Sequence, residues 1–298
     1  MRGGALNKLR TGLVTVERAM LSDLPGPLEA LRSSGFVADA LDAYCPRCGH
    51  GVGPGEFAAG RCGTCRSVRI PWDGFVRLGR YDLALRDAVH DFKFNRWHAV
   101  GEHLGVALGA AVAERLRLVA EHAGEPEEAV LGRTAVVPVP MSFWRRASRG
   151  IDHATCLARA VSRGSGAPCR KMLTRRHRPA QTGLSAAARK RNLHRAMRPC
   201  VGEDALDGLR VVVLVDDVST TGATLVEACR AIKSLRGSRK EPVVLAACVA
   251  MAEQGRAGQG GSPSGLPLVH TSSANAGGVA SEGPKKSGGT GASRLDAR

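Results

Sequence analysis

Aromatic side chains are scarce in this chain: three Trp, two Tyr and six Phe make up 4% of its 298 residues. A surface that stacks single-stranded bases on successive rings needs more of them. Acids are also few, 27 against 43 Lys and Arg, which leaves a formal net charge of +16. No apolar run approaches the roughly 18 residues that a membrane-spanning helix requires. The motif G-x-x-x-x-G-K-S/T is absent from the sequence, which excludes a P-loop nucleotide site. Met1 to Arg10 is positively charged but is followed by neither an apolar segment nor an A-x-A site. No secretory leader is therefore expected there, and the expected compartment is the cytoplasm. Hydrophobic residues still make up 43%, enough for a packed core and against global disorder.

The positive charge is concentrated. Between Met141 and Arg198, fifteen Lys and Arg face one acid, Asp152, so fourteen of the sixteen net charges fall within 58 residues. Such a segment suits an anionic partner: phosphate, polyphosphate or nucleic acid. The nine cysteines divide in two. Cys45-Pro-Arg-Cys48 and Cys62-Gly-Thr-Cys65 are C-x-x-C pairs thirteen residues apart, whereas Cys156, Cys169, Cys200, Cys229 and Cys248 stand singly. An odd count without a leader argues against a disulfide framework. Four thiolates in two knuckles match a tetrahedral zinc site, and four sulfurs close the shell, so the metal would be structural. His50 reads as a loop residue, and whether the ribbon also meets nucleic acid stays open.

Hydrophobic spacing divides the rest of the chain. Residues 1–40 read as a helical leader, 41–73 as the cysteine ribbon, 78–252 as an α/β domain and 253–298 as a tail. Leu83 to Phe94 and Ala99 to Ala120 have helical periodicity, and Thr134 to Pro140 reads as a short buried strand ended by proline. Arg145 to Ser162 is expected to be a basic helix, and Thr174 to Arg191 an Arg-rich loop or lid. Leu209 to Val215 is almost continuously β-branched, which requires burial on both faces and hence a central parallel strand. A helix over Ala223 to Leu235 and a strand over Pro242 to Ala250 complete an alternation that implies a doubly wound sheet.

That central strand runs into Asp216-Asp217-Val-Ser219-Thr220-Thr221-Gly222-Ala223-Thr224. Open α/β sheets bind ligands at the carboxyl ends of their strands. Free amides at the following helix start, four hydroxyls and a glycine make a phosphate cradle. Carboxylates beside it can accept hydrogen bonds from vicinal sugar hydroxyls, so the group fits a ribose 5-phosphate. A response-regulator receiver also ends a strand in two aspartates, but it needs a further α/β half. Only 81 residues follow Asp217.

The segment resembles the phosphoribosyl diphosphate motif of type I phosphoribosyltransferases, and the chain from about Cys45 to Val249 is similar to the ComF family. The ordered features are the cysteine ribbon, Tyr81 with the Lys93 region, Val137-Pro-Val-Pro140, the Arg-Arg…Arg-Gly helix start, Gln181-x-x-Leu184…Arg189-Lys-Arg191-Asn192, and Asp-Asp-Val-x-Thr-Thr-Gly. Ile151-Asp152-His153 stands where the family usually has Phe-Asn-Gln, and Met197 where it usually has Phe. The resemblance implies a parallel sheet with helices on both faces, preceded by a small zinc ribbon, that binds phosphoribosyl diphosphate with Mg²⁺. It implies that Asp216 and Asp217 hold the ribose and that Ser219 to Thr224 bind the 5-phosphate. Pro138 to Met141 would lie in the diphosphate loop, Arg145, Arg146 and Arg149 would neutralise diphosphate, and the hood carrying Gln181 and Arg189 would cover the site. Transfer to or from a nucleobase would follow. It further implies a link to DNA uptake, with single-stranded DNA and recombination proteins as partners. A non-catalytic DNA-binding or uptake adaptor on the same fold is the alternative.

The tail from Glu253 is dominated by Gly, Ser, Ala and Pro, a composition that buries too little apolar surface to offset ordering entropy. Truncation after about residue 255 is expected to leave the melting temperature within a degree or two, as checked by thermal unfolding of both lengths.

Overall fold

A computed structural model describes residues 26–53, 56, 62–94, 98–141, 152–175, 196–235 and 241–252. In chain order these residues form α1 (Pro27–Ser33), α2 (Gly63–Ser67), β1 (Gly74–Arg80), α3 (Leu83–Phe94), α4 (His98–Ala123), α5 (Glu127–Gly132) and β2 (Thr134–Pro138). There follow α6 (His153–Ser165), β3 (Leu173–Arg175), β4 (Met197–Pro199), a 3-10 turn (Glu203–Leu206), β5 (Val211–Ser219), α7 (Ala223–Lys233) and β6 (Val243–Met251). All belong to one compact unit within Met1–Leu268. No helix among the described residues is long and apolar enough to cross a membrane.

The main sheet has the order β1-β6-β5-β2 and is parallel throughout. Along β5, Val211, Val213 and Val215 face the core built by α3, α4 and α6. Val212 and Leu214 face the second core, with α7 and the antiparallel β3–β4 ribbon. Both faces are therefore covered, as the β-branched run requires. The strand extends further than expected, from Val211 to Ser219, so the acids lie within its ladder: Asp216 is in register with Cys248, and Ser219 with Met251.

Two elements run against expectation. β1 was not expected, because Arg77 and two glycines interrupt its apolar pattern. Arg77 is nevertheless only 2% exposed. It pairs with Asp39 at 2.9 Å and stands 5.0 Å from the Tyr44 ring, so its charge is compensated inside the fold. β3 takes in Thr174 and Arg175, the first two residues of the stretch read as a loop, and pairs with β4 beyond that stretch. Of the expected basic helix, the described part is α6, which starts at His153 and runs on to Ser165.

Helices α4 and α6 cross with their backbones in contact. A Cβ on Gly109 would lie 2.5 Å from Val161 O and 2.7 Å from Gly164 Cα. One on Gly105 would overlap Ala160 Cβ, and one on Gly164 would overlap Val106 O. No rotamer change relieves a clash with backbone, so the small residues set the helix spacing. Gly109→Ala is expected to destabilise by about 1–3 kcal/mol in denaturant unfolding. Gly132→Ala, where an added Cβ meets nothing within 4 Å, should be neutral or slightly stabilising.

Candidate functional site: an acid-ended strand beside a cysteine cluster

β2 ends opposite Val215, where β5 runs on into its acids. Pro138 is in register with Val215, and Val139 N donates to Val215 O at 2.9 Å, so the segment leaving β2 departs next to Asp216. Both carboxylates turn back on the backbone. Asp216 Oδ1 accepts from Asp217 N at 2.9 Å, and Asp217 Oδ1 from Val218 N at 2.6 Å. Asp217 also pairs with Lys93 Nζ at 3.0 Å, the two side chains being 14% and 16% exposed. Lys93 comes from the last turn of α3 and offsets a charge that would otherwise crowd the strand end.

On the other face, Arg77, Cys248 and Asp216 share one row of the sheet. Burial pushes the Cys248 thiol up to about 12, which makes it an inert spacer rather than a nucleophile. Beyond the acids, Ser219 is buried, and its Oγ has no hydrogen-bond partner among the described residues. Thr220 and Thr221 are exposed, whereas Gly222, Ala223 and Thr224 are half-buried. Gly222 has φ +69°, a left-handed conformation that disfavours any side chain. As the N-cap of α7 it supplies no capping group. Of the first-turn amides, Ala223 N makes a long 3.4 Å contact with Thr221 Oγ1.

A second centre lies beside β1. Cys45, Cys48, Cys62 and Cys65 are all buried, with their sulfurs within 4.8 Å of one another. Tetrahedral Zn–S bonds of ~2.3 Å would put sulfurs about 3.8 Å apart. The observed separations are 3.4 Å for Cys45–Cys65 and Cys48–Cys62, and 3.7 Å for Cys62–Cys65. At Cys45 the upward push of burial is outweighed by the amides of Cys48 and Arg47 and by the Cys65 thiol, and the pKa falls to about 7. Burial dominates at Cys65, which is pushed up to about 11, and at Cys48, which is also raised. A bound cation would favour all four thiolates. The donor set fits a metal such as zinc.

The cluster is docked on the sheet. Pro46 O accepts from Phe75 N at 2.8 Å and from Arg115 Nη2 at 2.9 Å. Arg47 O accepts from Trp72 Nε1 at 2.8 Å.

No protein-family model matches the chain. Competence protein F of Haemophilus influenzae is 32% identical over 192 residues, 64% of this chain and 80% of that protein. The chain belongs to the ComF family. DNA utilization protein YhgH of Salmonella typhi is 30% identical over 187 residues, covering 62% of this chain and 75% of the relative. YhgH of Escherichia coli K12 is 31% identical over 185 residues, with 61% and 74% covered.

Of the residues singled out from the sequence, the structure brings together Asp216, Asp217, Ser219, Thr220, Thr221, Gly222, Ala223 and Thr224, and separately the four cysteines. Arg145, Arg146, Arg149, Gln181 and Arg189 lie outside the described residues, as do 1–25 of the leader and 253–298 of the tail. Two residues that depart from the usual ComF pattern have local roles: Asp152 Oδ1 caps α6 by accepting from Thr155 N at 3.3 Å, and buried His153 meets the Phe92 ring edge-on at 4.9 Å. Sequence reasoning missed the contact of Lys93 with Asp217 and the place of Trp72. A lysine in the last turn of an amphipathic helix has an ordinary local explanation, so nothing nearby signals its distant partner.

Metal capture by such a small module is coupled to its folding. Freshly purified protein is expected to carry about one zinc per chain by elemental analysis. Cys45→Ser should lose the metal and loosen residues 41–73 to proteolysis while the parallel sheet stays folded.

Proposed function

We propose that this chain binds phosphoribosyl diphosphate carrying Mg²⁺ and acts as a phosphoribosyltransferase linked to DNA uptake. The observation that carries the reading is the end of β5, where two adjacent carboxylates meet a hydroxyl- and glycine-rich turn that opens directly into α7. In this reading Asp216 and Asp217 take the ribose hydroxyls. The amides and hydroxyls from Ser219 to Thr224 take the 5-phosphate at a helix start that favours anions. Pro138 to Met141 leads the diphosphate loop past Asp216, and Arg145, Arg146 and Arg149 neutralise diphosphate, with Gln181 and Arg189 on the hood. Mg²⁺ bound with the diphosphate would offset its negative charge, while Lys93 offsets that of Asp217. Loss of diphosphate develops positive charge on the sugar, and placed carboxylates and cations lower that barrier by positioning and charge stabilisation. The zinc is structural, residues 41–73 are its ribbon, 78–252 are the ligand domain, and the site of action is the cytoplasm.

A second reading has its own support. The relatives are named for competence and for DNA utilization, and the basic segment from Met141 to Arg198 suits a phosphate backbone. On that reading the chain is a non-catalytic single-stranded DNA-binding or uptake adaptor that works with recombination proteins.

The two readings separate on one variant. Asp216→Asn with Asp217→Asn is expected to weaken phosphoribosyl diphosphate binding by about 2–4 kcal/mol in calorimetry, through lost charge-assisted hydrogen bonds. The same change removes two negative charges and should leave binding of a single-stranded oligonucleotide equal or tighter. Wild-type affinity for the sugar phosphate in that variant would sink the phosphoribosyl reading.

A further inference from the structure

Trp72 is only 4% exposed and lies between the two centres. Its indole Nε1–H donates at 2.8 Å to the carbonyl of Arg47, which sits inside the first C-x-x-C knuckle. The far edge of the same ring reaches the hydroxyl loop: Cη2 lies 3.3 Å from where a Cβ on Gly222 would be. Behind it the Phe75 ring packs at a centroid distance of 5.9 Å and a tilt of 51°, which restricts the indole from swinging away. Gly222 is the left-handed pivot from which α7 starts. One rigid side chain thus touches both the backbone that aims cysteine sulfur and the backbone that would aim amides at phosphate.

We propose that Trp72 is a positioning residue that couples metal binding at the cysteine cluster to phosphate-ester binding at the Thr220–Gly222 loop. The inference rests on the phosphoribosyl reading of that loop. A metal ion fixes the first knuckle and with it the Arg47 carbonyl. That carbonyl holds the indole, and the indole walls the Gly222 turn in the conformation that presents the first-turn amides of α7. With the cluster empty, the Arg47 carbonyl is free to shift and the wall loosens. Coupling between sites is reciprocal, so a phosphate ester bound at the loop must tighten metal binding by the same factor.

The test uses the full chain loaded with zinc and ribose 5-phosphate as the probe. Zinc affinity is measured by equilibrium competition with a chelator, without and with saturating probe, in wild type and in Trp72→Phe. That variant keeps a ring against Phe75 but loses the N–H donor. Wild type should hold zinc about threefold to tenfold more tightly with probe, the range that one net hydrogen bond supports. In Trp72→Phe the factor should fall to about one, with zinc content unchanged and the probe still bound more weakly. Probe binding without linkage in wild type overturns the coupling and leaves the phosphoribosyl reading standing. Undiminished linkage in Trp72→Phe overturns Trp72 as the connection. Failure of zinc-loaded wild type to bind the probe at all overturns both. If Trp72→Phe does not fold, the wild-type indole N–H resonance of Trp72 decides: zinc removal and probe addition must each move it, and a shift from only one overturns the proposal.

Discussion

β5 is covered on both faces from Val211 to Val215, and that burial dictates where chemistry can sit in this molecule. A strand packed between two helical layers has no room for charge in its middle, so polar groups collect where the layers end. Asp216 and Asp217 occupy the first positions at which side chains leave the two cores. The period-two geometry sends them toward different neighbours: Lys93 lies on the α3 side of Asp217, and the row of Cys248 and Arg77 runs beside Asp216. The hydroxyl turn, the left-handed Gly222 and the start of α7 follow from the same constraint, because the chain must reverse to cover the face it has just built.

Much of this was legible because it is local. The β-branched run, the two acids and the turn are contiguous, and the paired C-x-x-C spacing announces its own geometry. The helical periods of α3 and α4 were readable for the same reason. What could not be read depends on partners far away in the chain. β1 looks unlike a strand because its buried Arg77 makes sense only beside Asp39 and Tyr44. The ion pair of Lys93 with Asp217 and the wedge of Trp72 against Gly222 join residues with no shared local signal. β3 and β4, three residues each, are too short to carry a pattern.

Membership of the ComF family sharpens this picture without replacing it. The aspartate and histidine that interrupt the usual pattern turn out to do ordinary structural work, one as a helix cap and the other as a packed ring. The cysteine module is likewise tied into the domain, since one proline carbonyl serves both β1 and α4.

The strand order has a consequence for how the molecule is made. β1 is among the earliest elements to leave the ribosome, yet its neighbour in the sheet is β6, and Asp73 meets Val244 across 171 positions of chain. Until Met251 has emerged, β1 offers an unpaired edge, and the apolar faces of α3 and α4 wait for a sheet that does not yet exist. Long-range parallel pairing of this kind is slow and leaves sticky intermediates. During synthesis, the nascent chain is therefore a natural client for chaperones. A ribosome stalled between α7 and β6 would release a product with the cysteine module and the acid-ended strand both present and no β6 to join β1 to β5.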